Sequence, residues 1–326
     1  MTPPNDGPSK SAEQTSPAPT DQAAERLLAG GLVAVPTETV YGLAGRTDDL
    51  NAIARIFEVK GRPRFDPLIV HVQTADAAEA LVDLDALGEL GRKVWRRLTD
   101  TFWPGPLTLV VPKNRDRVPD LVTAGLPTVA LRAPAHPIAQ AVLRTMSKSL
   151  GSPASFVAPS ANRFGYLSST EAAHVWAELG ESIDLILDGG PMTIGVESTV
   201  LRIDSEEDPS TVGVYVLRPG AIASADLRSA LQAAPAIQAT VDVRSRRAKE
   251  TVALESPGQL ARHYAPQRPL VVLEAPLSVG TAVRAAIDAV PSQALPQRAS
   301  SARCGGSIKQ LQTSCLRNSL RGANRS

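Results

Sequence analysis

Apolar residues in this chain fall into two rhythms. Near-continuous runs at Leu32 to Val35, Leu68 to Val72, Leu107 to Val111 and Thr128 to Leu131 read as strands buried on both faces. Phe156 to Ala158 and Leu185 to Leu187 read as shorter strands, and Ser198 to Ile203 with Val212 to Leu217 as a hairpin around a polar turn. Between them, apolar residues recur every three or four positions, as on a helix packed by one face. That spacing predicts helices at Ala23 to Leu28, Leu50 to Val59 (apolar Ile53, Ile56 and Phe57), Ala75 to Leu81 and Leu87 to Leu98. It also predicts them at Pro137 to Leu143, with Pro at the first position, and at Thr170 to Leu179. A short helical stretch is expected after the Pro36-Thr37-Glu38-Thr39 turn, and Trp103-Pro-Gly-Pro106 is expected to form a rigid turn. Strands and helices in this alternation imply an α/β fold, a twisted mixed sheet with helices packed on it.

Outside that stretch the pattern weakens. Residues 1–20 are rich in Pro, Ser, Thr and Ala, which predicts a disordered lead-in. They contain no apolar core of a secretory signal, which points to the cytoplasm. Residues 21–232 form the expected main α/β domain, and 233–268 a linker that includes the proline-bounded segment from Glu255 to Pro266. Leu270 to Leu273 reads as a strand and Val279 to Val290 as a helix, the start of a second α/β unit over 269–326. Periodicity is lost after Pro291, so this second domain is expected to be truncated or degenerate, in the manner of an out-of-frame end. No internal repeat is detectable.

Charge changes the picture at that end. The 326 residues hold 34 Lys and Arg against 33 Asp and Glu, a net charge of +1. No acidic residue follows Asp288, whereas Arg298, Arg303, Lys309, Arg317, Arg321 and Arg325 do. Setting those six aside leaves 28 basic against 33 acidic residues, a balance of −5. The folded part is therefore not a broad basic surface. Aromatic residues are 4% of the chain, too few for an extensive base-stacking platform. No apolar run approaches the ~20 residues that a membrane span needs. Both cysteines, Cys304 and Cys315, lie in the basic tail, and four histidines without paired spacing argue against a zinc site.

The densest chemistry lies at Lys60-Gly-Arg62-Pro-Arg64, just before the run that carries His71. Three cations in one loop repel one another unless an anion sits among them, and Arg suits phosphate through two parallel bonds. A solvated basic loop is the plainer alternative. Pro36-Thr37-Glu38-Thr39 could cap a helix or grip a ligand, and His71 could be structural. Ser160-Ala-Asn162 follows a short apolar strand and could be an ordinary turn. Gly195-Val-Glu197-Ser198-Thr199 and Arg218-Pro-Gly220 say equally little alone. Walker GxxxxGK[ST], GxGxxG and GxSxG patterns are absent, which removes P-loop, dinucleotide-fingerprint and serine-hydrolase readings. No pair of carboxylates supports a glycosidase.

Taken in order, seven segments are far more specific than any one. Pro-Thr-Glu-Thr-Val-Tyr-Gly-Leu, Lys-Gly-Arg-Pro with Pro-Leu-Ile-Val-His, Trp-Pro-Gly-Pro-Leu-Thr, Val-Ala-Leu-Arg, Pro-Ser-Ala-Asn, Glu-Ser-Thr-Val and Leu-Arg-Pro-Gly together resemble the YrdC family. The segment from Ser256 through Arg262-His263-Tyr264-Ala-Pro266 is similar to the linker of its long, two-domain form, so the resemblance covers about residues 20 to 275. It implies a YrdC-like twisted sheet followed by a small Rossmann-like α/β domain. It also implies a nucleotidyl transfer in which L-threonine, bicarbonate and ATP, with Mg²⁺, give threonylcarbamoyl-adenylate and pyrophosphate. A partner transferase would then modify the adenosine beside the anticodon of tRNA, and direct contact with tRNA is a further expectation.

Carried onto this sequence, the resemblance assigns Lys60 and Arg62 to the triphosphate as the catalytic cations. It assigns Asp66, Thr128, Ser160, Asn162, Ser168 and Arg218 to ATP. Thr39, His71, Arg132, Ala158 and Ser198 are assigned to threonine, with Arg132 on its carboxylate. Tyr264, with His263, is expected to fold over the mouth as a lid on ATP. Two other readings stay open: a non-catalytic RNA- or nucleotide-binding YrdC module, and a carbamoyl-transfer part of a larger maturation enzyme. The loop Arg163-Phe164-Gly165-Tyr166-Leu167 is bulkier than the family's usual one, which bears on the contacts to the base.

Overall fold

The computed structural model describes residues 13–14, 17–205, 211–233 and 239–242. The chain divides into two units, Met1–Ala265 and Pro266–Ser326. The expected linker from 243 onward with Tyr264 and His263, the strand at 270–273, the helix at 279–290 and the basic tail all lie outside the described residues.

In chain order the elements are β1 (Glu13–Gln14), α1 (Pro17–Leu28), β2 (Val33–Val35), β3 (Gly42–Arg46), α2 (Leu50–Lys60), β4 (Ile69–Val72), α3 (Ala75–Glu79) and α4 (Leu84–Phe102). There follow β5 (Leu107–Pro112), α5 (Asp120–Thr123), β6 (Thr128–Arg132), α6 (Pro137–Leu150), β7 (Ser155–Val157) and α7 (Ala172–Leu179). The last are β8 (Leu185–Asp188), β9 (Thr199–Ser205), β10 (Val212–Arg218), α8 (Ser224–Gln232) and β11 (Ala239–Asp242). All described strands join one mixed sheet in the order β1-β8-β2-β3-β7-β4-β6-β5-β9-β10-β11.

Alternation along β2 shows why the apolar runs are unbroken. Leu32 and Ala34 enter the core covered by α2, α4, α7 and α8, while Val33 and Val35 enter the one covered by α1 and α6. Both faces of the strand meet helices, so neither position can be polar. Helix α2 begins where the Asp49 carboxylate accepts the N–H groups of Asn51 and Ala52, and ends at Gly61, whose φ of 61° favours a residue without Cβ. Helix α4 carries a non-helical Gly88 near its start, so the spacing read from Leu87 follows its second, longer part.

The differences from the sequence reading have local causes. The stretch after the Thr-Glu-Thr turn is strand β3, not a helix. Gly-Leu-Ala-Gly-Arg has no strand propensity of its own and is extended because β2 and β7 pair with it on both sides. Helix α1 starts at Pro17, and β1 pairs with β8, so order begins before residue 21. The expected linker contributes β11, which adds to β10 in parallel. Helices α5 and α8 were not anticipated, and α6 runs seven residues beyond the expected Leu143.

Candidate functional site

Alternation also decides which side chains reach the open face of the sheet. In β4, Val70 and Val72 point into the helix-covered core, so Ile69 and His71 point the other way. The β4–β6 register sets His71 beside Arg132 and Ile69 beside Ala130. Strand β5 brings Val110 beside Ala130, and β9 brings Val200 beside Thr108. Ile69, Val110, Ala130, Val200 and Leu217 form a small apolar patch there that contains no helical residue.

Arg218 reaches the same face through an irregularity. Its neighbour Val216 lies in the helix-covered core, and strict alternation would send Arg218 there as well. The register shifts between Val216 and Arg218. Such a bulge re-aims the side chain that follows it. The result is a cleft of about 480 Å³, its open part included, lined by Thr37, Thr39, Val40, Gly42, Arg62, Ile69, His71, Arg132, Ala158, Pro159, Ser160, Glu197, Ser198 and Arg218.

At one end, the Arg132 guanidinium is held by three partners. Nε donates to the Gly105 carbonyl at 3.2 Å, Nη1 to Thr39 Oγ1 at 2.9 Å, and Nη2 to Glu38 Oε1 at 2.5 Å. A guanidinium carries five N–H groups, so these bonds leave one on each terminal nitrogen. Thr39 Oγ1 also meets Thr37 Oγ1 at 2.9 Å, and Thr37 donates to the Val40 carbonyl, closing the turn on itself. His71 is buried and stacked on Phe156 with ring centres 5.6 Å apart. Its Nδ1 lies 3.2 Å from the Ile69 carbonyl, which can only accept, so the ring proton sits on Nδ1 and Nε2 is a bare acceptor. Burial, reinforced by the Arg132 charge, pushes the imidazole down to about 3. His71 is therefore neutral and too weak a base to take a proton near neutral pH.

At the other end, Ser198 Oγ meets Thr108 Oγ1 at 2.8 Å and accepts from Arg218 Nη2 at 2.9 Å. Arg218 also donates to the Ser198 carbonyl from Nε and Nη2, and its Nη1 is bonded to Glu197 Oε2. Ser168 donates to Glu197 Oε1 at 2.8 Å and so joins the loop before α7 to the cleft wall. Arg62 donates to the carbonyls of Asp66 and Pro67, pairs with Asp66 at 2.9 Å and lies 5.9 Å from the centre of the Phe164 ring. Asp66 has no exposed surface, and neither carboxylate oxygen receives a well-directed hydrogen bond. Burial holds its carboxyl above the usual range, against the opposing charges of Arg62 and Lys60.

Lys60 departs from its expected role. Its Nζ is buried and donates to the carbonyls of Ser160 and Asn162, at 2.5 Å each. Burial, followed by repulsion from Arg62, brings its pKa down to about 7. Lys60 does not line the cleft; it ties the end of α2 to the Pro-Ser-Ala-Asn segment that does. The Asn162 amide likewise turns inward, donating to the carbonyls of Arg163 and Tyr166.

Of the expected residues, the structure gathers Thr39, Arg62, His71, Arg132, Ala158, Ser160, Ser198 and Arg218 on one cleft. Ser168 stands behind Glu197, and Lys60, Asp66 and Asn162 lie beneath the wall. Thr128 is not among the lining residues: it starts β6, four residues from Arg132 and on the order of 13 Å along the strand. Tyr264 lies outside the described residues. The sequence reading passed over Glu38 and Glu197. Arg132 and Arg218 need counter-charges when buried, and these two carboxylates adjoin Thr39 and Ser198 in the same motifs. Among the described residues no three His, Cys, Asp or Glu side chains cluster as metal ligands, and no helix is long and apolar enough to cross a membrane.

Comparison with known proteins places this geometry. The Sua5/YciO/YrdC family model, described as "Telomere recombination", matches residues 25–220. The threonylcarbamoyl-AMP synthase of Pyrococcus abyssi (strain GE5 / Orsay) is 40% identical over 258 residues, 78% of this chain and 67% of that protein. The enzyme of the same name from Bacillus subtilis (strain 168) is 40% identical over 253 residues, 78% of this chain and 66% of that one. The chain thus spans about two thirds of the length of these curated relatives. A crystal structure of P. abyssi Sua5 complexed with L-threonine superposes with a TM-score of 0.70 at 33% identity, covering 96% of this chain and 88% of the other.

Proposed function

Because this chain belongs to the Sua5/YciO/YrdC family, we propose that it forms threonylcarbamoyl-adenylate from L-threonine, bicarbonate and ATP. The observation that carries this is the pairing of His71 with Arg132 in the β4–β6 register, in one cleft with Arg62 and Arg218. Arg132 offers the amino-acid carboxylate one N–H on each terminal nitrogen, and His71 Nε2 offers an acceptor for the threonine hydroxyl or amine. Arg62 and Arg218 face the phosphates, with Ser160 as a nearby hydroxyl, and Ser198, held by Arg218, stays on the threonine side.

The amine condenses with bicarbonate, losing water, to give a carbamate. A carbamate oxygen attacks the α-phosphorus of ATP and pyrophosphate leaves. Negative charge grows on the phosphates as this happens, so fixed guanidinia and exclusion of water supply what the step needs. No described side chain acts as a covalent nucleophile in this scheme. Mg²⁺ would enter this scheme with the nucleotide and neutralise charge on the phosphates, since no cluster of three His, Cys, Asp or Glu among the described residues would hold it. The mixed anhydride then passes to a transferase acting on tRNA.

Threonine-dependent pyrophosphate release by the full chain tests this. Release that requires threonine and bicarbonate supports it. ATP binding without release sinks it and favours a nucleotide-binding module instead.

A further inference from the structure

We propose that Glu38 is a positioning residue for Arg132, fixing the plane in which that guanidinium meets a ligand carboxylate. The proposal rests on the function given above, with Arg132 as the carboxylate receptor.

Both oxygens of Glu38 are committed. Oε1 accepts from Arg132 Nη2 at 2.5 Å and Oε2 from the Ala135 N–H at 3.0 Å, with the side chain only 12% exposed. The carboxylate therefore clasps the end of β6 at two points three residues apart, one on a side chain and one on the backbone. Its own main chain is anchored independently. The Glu38 carbonyl accepts from the Ile194 N–H at 3.1 Å and from the Thr193 hydroxyl at 3.3 Å, and the Thr39 carbonyl accepts from the Gly195 N–H at 3.1 Å. Residue 38 thus joins the Thr-Glu-Thr turn, the end of β6 and the 193–195 loop.

Three bonds in different directions hold the guanidinium of Arg132: Gly105 on Nε, Thr39 on Nη1 and Glu38 on Nη2. Glu38 supplies the only charged partner among them, and its second oxygen ties the same carboxylate to the Ala135 backbone. It is not among the residues lining the cleft, so it acts through Arg132 rather than on the ligand. A charge-bearing clasp of this kind is hard to replace. Glutamine keeps the shape but has one oxygen for two separated donors, and aspartate keeps the charge but falls a methylene short.

The test titrates L-threonine and, separately, ATP into the full chain by calorimetry, using wild type, Glu38→Gln and Glu38→Asp. Both variants are expected to bind threonine at least about tenfold more weakly, with ATP affinity within about twofold of wild type. Excess threonine is expected to restore turnover. Equal losses for both ligands would mark a merely structural role and overturn the proposal. So would wild-type threonine affinity in Glu38→Asp, which would show that charge alone suffices. Wild-type protein that binds no threonine would overturn the proposed function, and this inference with it. Threonine binding in wild type with no change in the variants overturns this inference alone.

Discussion

Lys60 and Asn162 lie 102 residues apart and meet at 2.5 Å, the lysine ammonium donating to the asparagine carbonyl. The same nitrogen holds the Ser160 carbonyl at 2.5 Å. Lys60 is thus a strut under the cleft wall. Lys60→Met leaves two buried carbonyls without their donor, and each such loss costs roughly 1–3 kcal/mol. The expected outcome in chemical denaturation is a stability loss of about 2–6 kcal/mol for the two together, with weaker ATP binding as the Ser160 segment shifts. Unchanged stability with ATP binding alone lost would return Lys60 to the phosphates.

His71 makes stability depend on pH in a defined direction. Its imidazole is pushed down to about 3 by burial and then by Arg132, from an ordinary 6.5. Between those values the unfolded chain binds a proton that the native protein refuses. Its contribution is intact above pH 6.5 and lost progressively as pH falls toward 3, by up to about 1.4 kcal/mol per pH unit. Denaturation of His71→Asn is expected to show a flatter acid limb than wild type over that window. Superimposable limbs would contradict the neutral, buried imidazole.

Gly220 packs against the backbone that presents Ser198. A Cβ there would stand 2.4 Å from the Glu197 carbonyl oxygen and 2.4 Å from the Thr199 nitrogen, distances no flexible side chain can relieve. Gly220→Ala is expected to cost on the order of 1–3 kcal/mol as overpacking. Activity is expected to fall with it, because Arg218 is bonded to both Glu197 and Ser198. A variant of wild-type stability and rate would disprove that placement of the 197–199 segment.

Arg62 is both a wall of the cleft and the counter-ion of the fully buried Asp66. Removing one partner of such a pair typically costs about 3–5 kcal/mol. Arg62→Ala is therefore expected to lose stability as well as turnover. Adding Asp66→Asn removes the stranded charge, and the double variant is expected to recover most of the stability without recovering turnover. Recovery of both would place Arg62 outside the chemistry.

Much of this was legible in local pattern. The apolar runs became central strands, β2 with helices on both faces and β4, β5, β6 and β9 with an apolar patch on the cleft side, and Thr39, His71, Arg132, Ser198 and Arg218 line one cleft. What stayed hidden depends on distant partners. Gly42 to Arg46 is a strand only because β2 and β7 flank it. Lys60 beside Arg62 looks like a phosphate clamp until the chain returns, a hundred residues later, with two carbonyls above its amine. Glu38 and Glu197 each sit in a short motif of hydroxyl residues, and only the arrival of Arg132 and Arg218 on one face gives them partners. Arg218 faces the cleft through a bulge that alternation alone would not predict.

The proposed reaction joins a threonine-derived carbamate to the α-phosphate of ATP in one cleft. It is tested most directly by following labelled bicarbonate and pyrophosphate together in the full-chain reaction. One labelled carbon fixed in an adenylate is expected for each pyrophosphate released, and neither without threonine. Pyrophosphate released with no label fixed would mean adenylation without carbamate formation, and would contradict it.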